Sequence, residues 1–278
     1  MKVLIEAILQ THIITDIIYL ILKNKRFMRK LITCVLFSQL LLAQNQKPEE
    51  TELWNPEPKK VTPGVLNAPP SDAVVLFDGT DFSKWRQEKT KGKVIWTLNY
   101  DKSMTVKPKA GSIETINEHG SIQLHIEWKS PKVIKGEGQG RGNSGIIFQR
   151  RYEVQVLDGF NNRTYSNGQA SSIYKQHIPL VNATLPPGEW QIYDIVFVEP
   201  KFDSKGEKTE SGSFTVFHNN VLVQNHVEIL GTTEYIGSPK NNRDEMPGYN
   251  NKISKQRSLL LQDHGDLVSY RNIWIRKL

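Results

Sequence analysis

Glu153, Gln155, Asp158, Gln262 and His264 are the side chains of this sequence whose types and spacing could do chemistry. They fall in two short runs, Tyr152-Glu-Val-Gln-Val-Leu-Asp158 and Leu259-Leu-Leu-Gln-Asp-His-Gly265. Side chains alternate across a strand, so Glu153 and Gln155 share one face while Val154 and Val156 share the other. A strand that buries valines on one side and aligns a carboxylate and an amide on the other is suited to hold something polar. Asp158 has the opposite parity, but Gly159 follows it, and a bulge or strand end there could swing its carboxylate back towards Glu153. In the second run Leu259 and Leu261 share one face, and Leu260, Gln262 and His264 the other. A histidine at a strand end, before a glycine, can take or give a proton near neutral pH. Two acids and an amide at the rim of a sheet point to a sugar-sized polar site.

The elements that must position these groups are strands. Short β-rich runs follow one another from Val74–Phe77 to Arg271–Lys277, mostly separated by Gly, Pro, Asn or Asp. Among them are Val94–Leu98, Ser121–Lys129, Ser144–Gln149, Ser171–Tyr174, Trp190–Val198, Ser213–His218 and Val221–Gln224. No long segment of the chain beyond the leader has helical periodicity. The pattern predicts an all-β fold, a jelly-roll sandwich of two antiparallel sheets. In Ser121–Lys129, Ile122, Leu124, Ile126 and Trp128 face one way, while Gln123, His125 and Glu127 face the other. Trp190–Val198 is apolar on both faces and is expected to be central. Asn219-Asn220 lies between two β-rich runs and reads as a two-residue hairpin turn, because Asn tolerates positive φ.

Gly136-Glu-Gly-Gln-Gly-Arg-Gly-Asn-Ser-Gly145 lacks the Gly-Lys-Ser/Thr ending of a phosphate loop and opens no helix. It reads as a mobile loop at the mouth of a pocket, from which Arg141 and Asn143 could reach a ligand. Lys175, just after Ser171-Ser-Ile-Tyr174, could polarise a carbonyl or bind a hydroxyl.

The sequence has 278 residues and a formal charge of +7, but the charge is concentrated at one end. Met28-Arg-Lys, the apolar Leu31–Leu42 and then Ala43 have the form of a signal peptide, and residues 1–27 read as a start-site artefact ahead of Met28, with a membrane anchor as the alternative. The apolar run Ile13–Leu22 is too short to span a bilayer. Residues 1–43 hold six of the basic and two of the acidic side chains, so the remainder is near +3. That balance gives little support for a nucleic-acid or acidic-membrane partner. The single cysteine, Cys34, lies in the leader, so disulfides, a thiol nucleophile and Cys-based metal sites are excluded from the rest. Export to a bacterial periplasm or cell surface is expected. Residues 44–71 hold six prolines and read as a disordered arm, leaving 72–278 as one domain.

No His-x-Glu or His-Glu-x-x-His spacing occurs, yet His264, Asp263, Glu153 or Asp158 could still assemble a divalent-metal site across strands. Ser-His-Asp catalysis has no elbow motif behind it.

Seven stretches, in order, resemble one family: Leu76-Phe-Asp-Gly-Thr-Asp-Phe-Ser-Lys-Trp85, Asn143-Ser-Gly-Ile146, Tyr152–Asp158, Gly188-Glu-Trp190, His218-Asn-Asn220, Leu261-Gln-Asp-His-Gly265 and Tyr270-Arg-Asn-Ile273. As a set they look like the 3-keto-disaccharide hydrolases, also described as 3-keto-glucoside 1,2-lyases and 3-keto-2-hydroxy-glucal hydratases. The resemblance spans 72–278 and implies a concanavalin-like jelly roll, bacterial export and sugar processing. The polar segment Pro239–Lys255 is an insertion without an assigned role, and Asn219-Asn220 replaces the usual Asn-Gly turn.

A ketone at C3 of a sugar acidifies the C2 proton, so the glycosidic bond can break without an oxocarbenium ion. Such a site needs a base, a group that stabilises the enolate, and an acid for the leaving group. Glu153, Asp158 and His264 are the candidate proton carriers. Gln155, Gln262, Lys175 and Arg150 are candidates for binding hydroxyls or the enolate, with Glu127 and Asn143 in support. A two-carboxylate glycosidase using Glu153 and Asp158, and a non-catalytic lectin-like module, are the alternatives.

Overall fold

The structure, a computed structural model, describes residues 47–242 and 257–278, with 15–16, 18–20, 23–24, 29–30 and 32–33 of the leader. Most of the Met28–Ala43 signal-peptide run, including Cys34, and most of Pro239–Lys255 lie outside the described residues. The chain divides into two units, Met1–Lys60 and Val61–Leu278. In the first, the described leader residues are mostly helical, and a 3-10 turn covers Pro48–Thr51. Among the described residues no helix is long and apolar enough to cross a membrane.

Among its described residues the regular structure of the second unit is almost entirely β, and every strand pairing is antiparallel. One sheet has eight strands: β1 (Val74–Phe77), β3 (Thr97–Leu98), β4 (Met104–Thr105), β6 (Ile122–Lys129), β9 (Gln191–Val198), β12 (Ser213–His218), β13 (Val221–Glu228) and β15 (Ser269–Lys277). The other has five, in the order β2 (Trp85–Gln87), β5 (Ile113–His119), β14 (Arg257–Leu261), β7 (Ser144–Phe148) and β8 (Tyr152–Val156). A two-stranded ribbon, β10 (Lys201–Phe202) with β11 (Lys208–Glu210), completes the set.

Alternation does most of the sorting. Ile122, Leu124, Ile126 and Trp128 of β6 are fully buried, as are Ile146 and Phe148 of β7 and Val154 and Val156 of β8. These side chains form the core between the sheets, with Tyr193, Phe197, Phe214 and Tyr270 from the larger sheet. Strand β9 is central in hydrogen bonding, flanked by β6 and β12. Its two apolar faces are not equally covered, however: Ile192, Asp194 and Val196 are only half-buried, while Tyr193, Ile195 and Phe197 are fully buried. The Asn219-Asn220 turn has φ of 52° and 65° and joins His218 to its partner Val221, as a two-residue hairpin requires.

Local β propensity overreaches in two places. Ser171–Tyr174 is not a strand; Ile173 makes only isolated bridges to Val154 and His177, and positive φ at Ser171 and Lys175 breaks the extension on either side. Val94–Leu98 contributes only its last two residues, as β3. From Val61 onward the arm groups with the second unit. Thr62 and Ser71 exchange hydrogen bonds, and Asp72 holds Arg276 through two contacts of 2.8 Å.

Two buried tyrosines join the layers. Tyr193 of β9 donates its hydroxyl to the Gln155 carbonyl at 2.9 Å. Tyr270 of β15 donates to Ser144 Oγ at 2.6 Å, and Ser144 donates onward to the Gln262 carbonyl at 2.6 Å. Burial raises both phenols well above their ordinary range, so they act as neutral donors. The larger sheet thereby props, from beneath, the strands that present Glu153, Gln155 and Gln262.

Candidate active site

Strand β8 turns Val154 and Val156 into the core, and alternation turns Glu153 and Gln155 to the opposite face. The hairpin that sets this register is tight: Gln149 and Arg150 both have positive φ, and Arg151 N–H bonds back to the Phe148 carbonyl. Neither residue is glycine, so side-chain contacts hold the turn. Gln149 donates to the His119 carbonyl and to Glu199, and Arg150 pairs with Glu88 and Glu114. The neighbouring strand supplies the space. A Cβ on Gly145 would stand 2.4 Å from Glu153 Oε1, so only glycine there lets the carboxyl lie across β7. Beyond β14 the chain stays in register, with Gln262 N–H bonded to the Gly145 carbonyl at 3.0 Å.

These residues line one cleft of about 760 Å³ on the outer face of the smaller sheet. Glu153 is at its floor and only 7 % exposed; burial pushes its carboxyl up to about 8. Among the described lining residues Glu153 is the one carboxylate. Gln155 is buried beside it, and Gln262 Oε1 is buried with no hydrogen-bond partner among the described residues. His264 is exposed at the rim, and among the described residues no hydrogen bond reaches its ring. Lys175 reaches the mouth through positive φ; its ammonium bonds to the Tyr235 carbonyl and lies 4.6 Å from that ring's centre. Arg150 also lines the cleft, with its guanidinium already engaged by two carboxylates. Asn143 donates to the Gln139 carbonyl at 2.7 Å, while its backbone N–H bonds to Asp266.

Two of the expected residues are elsewhere. Asp158 keeps its original parity; the swing that Gly159 was expected to permit does not occur. It is 2 % exposed and paired at 2.8 Å with the buried Arg141, facing a second cavity beside Asp266 and Leu267. Arg141 is therefore a structural cation, and the loop that bears it is tied down by Gly138 N–H to Asn162 and Asn143 N–H to Asp266. Glu127 lies on β6 of the other sheet, on the side away from the core. It pairs with Arg271 at 2.6 Å and accepts from Asn272 at 2.9 Å, and its carboxyl is held down near 2. Burial opposes that shift, but His125, Asn272 and Arg271 outweigh it.

Gln139, Tyr165, Tyr174, Thr233 and Tyr235 also line the cleft, and none of them is marked out by strand alternation. Loop closure brings them in. The one sequence signal was position: Gln139 lies in the glycine loop, and Tyr174 precedes Lys175.

Among the described residues no three His, Asp or Glu side chains converge as a metal site would need. Asp158 is committed to Arg141, and Asp263 accepts from the backbone N–H groups of Gly111 and Gly265. His264, Asp263, Glu153 and Asp158 are thus not brought together.

A cleft with one buried carboxyl, four side-chain amides and an exposed imidazole among its described lining residues invites comparison with sugar-processing proteins. Residues 72–276 match the 3-keto-alpha-glucoside-1,2-lyase-like domain. The chain belongs to that family. A crystal structure of a candidate glycosyl hydrolase from Parabacteroides distasonis ATCC 8503 is 45 % identical, covering 84 % of this chain and 97 % of that one, with a TM-score of 0.76. A second candidate glycosyl hydrolase from the same organism is 19 % identical over 74 % of this chain and 94 % of that one, with a TM-score of 0.52, and supports the fold alone. No curated protein matches the chain. Family membership makes this a carbohydrate-active protein and agrees with the antiparallel sandwich.

Proposed function

We propose that this protein cleaves 3-keto-glycosides by removing the C2 proton and eliminating the C1 substituent, with later addition of water giving net hydrolysis. The observation that supports this most is the buried carboxyl of Glu153, with a pKa of about 8, in the same cleft as the exposed ring of His264. Proton transfer is most efficient when carrier pKa values lie near the working pH. Glu153 and His264 are the two proton carriers of the site. Gln155, Gln262 and Lys175 supply donors for sugar hydroxyls and for charge developing on the C3 oxygen.

Two-carboxylate hydrolysis needs a pair of acids flanking the bond. Asp158, turned away and bound to Arg141, does not share the cleft, which argues against that route. The reading further takes the enzyme to be exported to a bacterial periplasm or surface, on the charged, apolar and small residues of 28–43.

The test is aglycone release from an aryl 3-keto-glucoside and from the unoxidised glucoside, each with and without EDTA. Release from the keto sugar alone supports elimination. Equal release from both would refute it in favour of ordinary hydrolysis, and binding without release from either would indicate a lectin-like module. Loss of release with EDTA would reveal a metal requirement.

A further inference from the structure

A chain of amides ending at Glu153 constrains which of the two proton carriers is the acid. At its far end Gln139 donates its Nε2 to the Gly168 carbonyl at 2.8 Å and to Thr164 Oγ1 at 3.1 Å. A backbone carbonyl can only accept, so the Gln139 amide has one good orientation, and its Oε1 must face Gln155. That oxygen lies 3.0 Å from Gln155 and needs a donor, which sets Gln155 Nε2 towards Gln139. The other end of the Gln155 amide is then its oxygen, 3.1 Å from Glu153 Oε1 and 3.3 Å from the Ser144 carbonyl oxygen.

Three arrangements compete. Turning Gln155 alone would set its oxygen against Gln139 Oε1 at 3.0 Å. Turning both amides would set the Gln139 oxygen against the Gly168 carbonyl at 2.8 Å. Turning neither leaves one acceptor–acceptor contact, the longest of the three at 3.3 Å, with the Ser144 carbonyl oxygen, provided a proton lies between Glu153 and Gln155. Repulsion between acceptors rises as they approach, so the third arrangement is the least costly.

We propose that Glu153 rests as the carboxylic acid, donating to Gln155 Oε1, and that it therefore serves as the proton donor to the leaving group while His264 takes the C2 proton. The assignment of roles rests on the elimination reading above; the resting protonation state does not. Gln139 and Gln155 are positioning residues, with Gln139 acting through Gln155.

The steps balance. The C2–H bond breaks, its proton goes to the His264 imidazole, and its electron pair forms the enolate with the C3 carbonyl. The enolate collapses, restoring C3=O and forming C1=C2. The C1–O bond then breaks, and the departing oxygen takes its electron pair together with the Glu153 proton. Exchange with water returns the proton from imidazolium to carboxylate.

Burial favours the neutral form. The cause of the raised Glu153 pKa is burial. The titratable and charged groups around it are Arg150 and Arg151 from the β7–β8 turn, Tyr165, Tyr174 and Lys175 from the loop after β8, Tyr235 from the loop after β13, His264 beyond β14, and Tyr270 beneath. Arg150 is neutralised by Glu88 and Glu114, and Lys175 is bonded to Tyr235.

The test pairs infrared spectroscopy with a pH profile. In the purified protein at neutral pH, the difference spectrum against Glu153→Gln should contain the carbonyl stretch of a protonated carboxyl. Gln139→Met releases the Gln155 amide to turn its Nε2 towards Glu153, so that band should fade at neutral pH. The alkaline limb of kcat/KM should move down by about one pH unit or more, since donation to the carboxylate favours ionisation. Absence of the band in the unaltered protein would overturn the resting acid. A rate that rises with pH through the Glu153 titration, instead of falling, would overturn its role as donor. A band without any turnover of 3-keto-glycosides would retain the resting acid and refute the elimination reading alone.

Discussion

Gly145→Ala separates the chemistry of the cleft from the stability of its sheet. The φ of Gly145 is outside the left-handed region, so alanine fits the backbone without strain, and relief of glycine's entropy favours folding by roughly 0.5–1 kcal/mol. The new methyl would nevertheless sit 2.4 Å from Glu153 Oε1, 3.0 Å from Cδ and 3.2 Å from Cγ. Ordinary contact begins at 3.4 Å, so the oxygen must withdraw by about 1 Å. A displacement of that size at a reacting group costs on the order of 100-fold in rate, about 2.7 kcal/mol of transition-state stabilisation. The assay is kcat/KM for aglycone release from an aryl 3-keto-glucoside, alongside urea unfolding. We expect the rate to fall by about that factor, with the unfolding midpoint unchanged or higher. In a Glu153→Ala background the same substitution should cost nothing further, because the displaced group is gone. Full activity in Gly145→Ala, or an equal loss in both backgrounds, would refute the reasoning.

Two other expectations follow from burial. The folded pKa of Glu153, about 8, lies above its ordinary 4.5, so the native state binds the extra proton in that window. Its stabilising contribution is complete below pH 4.5 and is lost as pH rises through 8. Glu153→Gln should therefore gain on the unaltered protein as pH rises across that window, by up to a few kcal/mol in urea unfolding, while losing about 100- to 10,000-fold in rate. A stability difference that is flat with pH would refute this. Asp158→Ala should leave the buried Arg141 without its carboxylate, costing about 3–5 kcal/mol and lowering Tm, while folded protein retains its rate. Loss of turnover at unchanged Tm would instead return Asp158 to the chemistry.

How far the site was legible in the sequence depends on the range of the forces that build it. Strand alternation is local, so the placement of Glu153 and Gln155 away from Val154 and Val156 could be read from the residues themselves. The same holds for Gln262 and His264 opposite Leu259 and Leu261, and for the Asn219-Asn220 turn, whose positive φ is a property of asparagine. Alternation names a face and not a sheet. Glu127 has the same local pattern as Glu153, yet it faces outward from the other sheet, because strand order is decided by pairing across the core. Asp158 was misplaced for a related reason: its partner Arg141 lies in another loop, and no rule of spacing reports a buried ion pair.

The sequence by itself determined the antiparallel sandwich and the polar strand faces, since both follow from periodicity and from the short reach of β-turns. Only the tertiary structure decided that β14 enters between β5 and β7, so that Gln262 and His264 stand beside residues more than a hundred positions earlier. It also placed Gln139 on Gln155, and it matched the absent side chain of Gly145 to the carboxyl of Glu153. These are contacts between segments distant along the chain. Their energies come from burial and from the pairing of specific donors with acceptors, and neither is defined until the sheets have closed on one another.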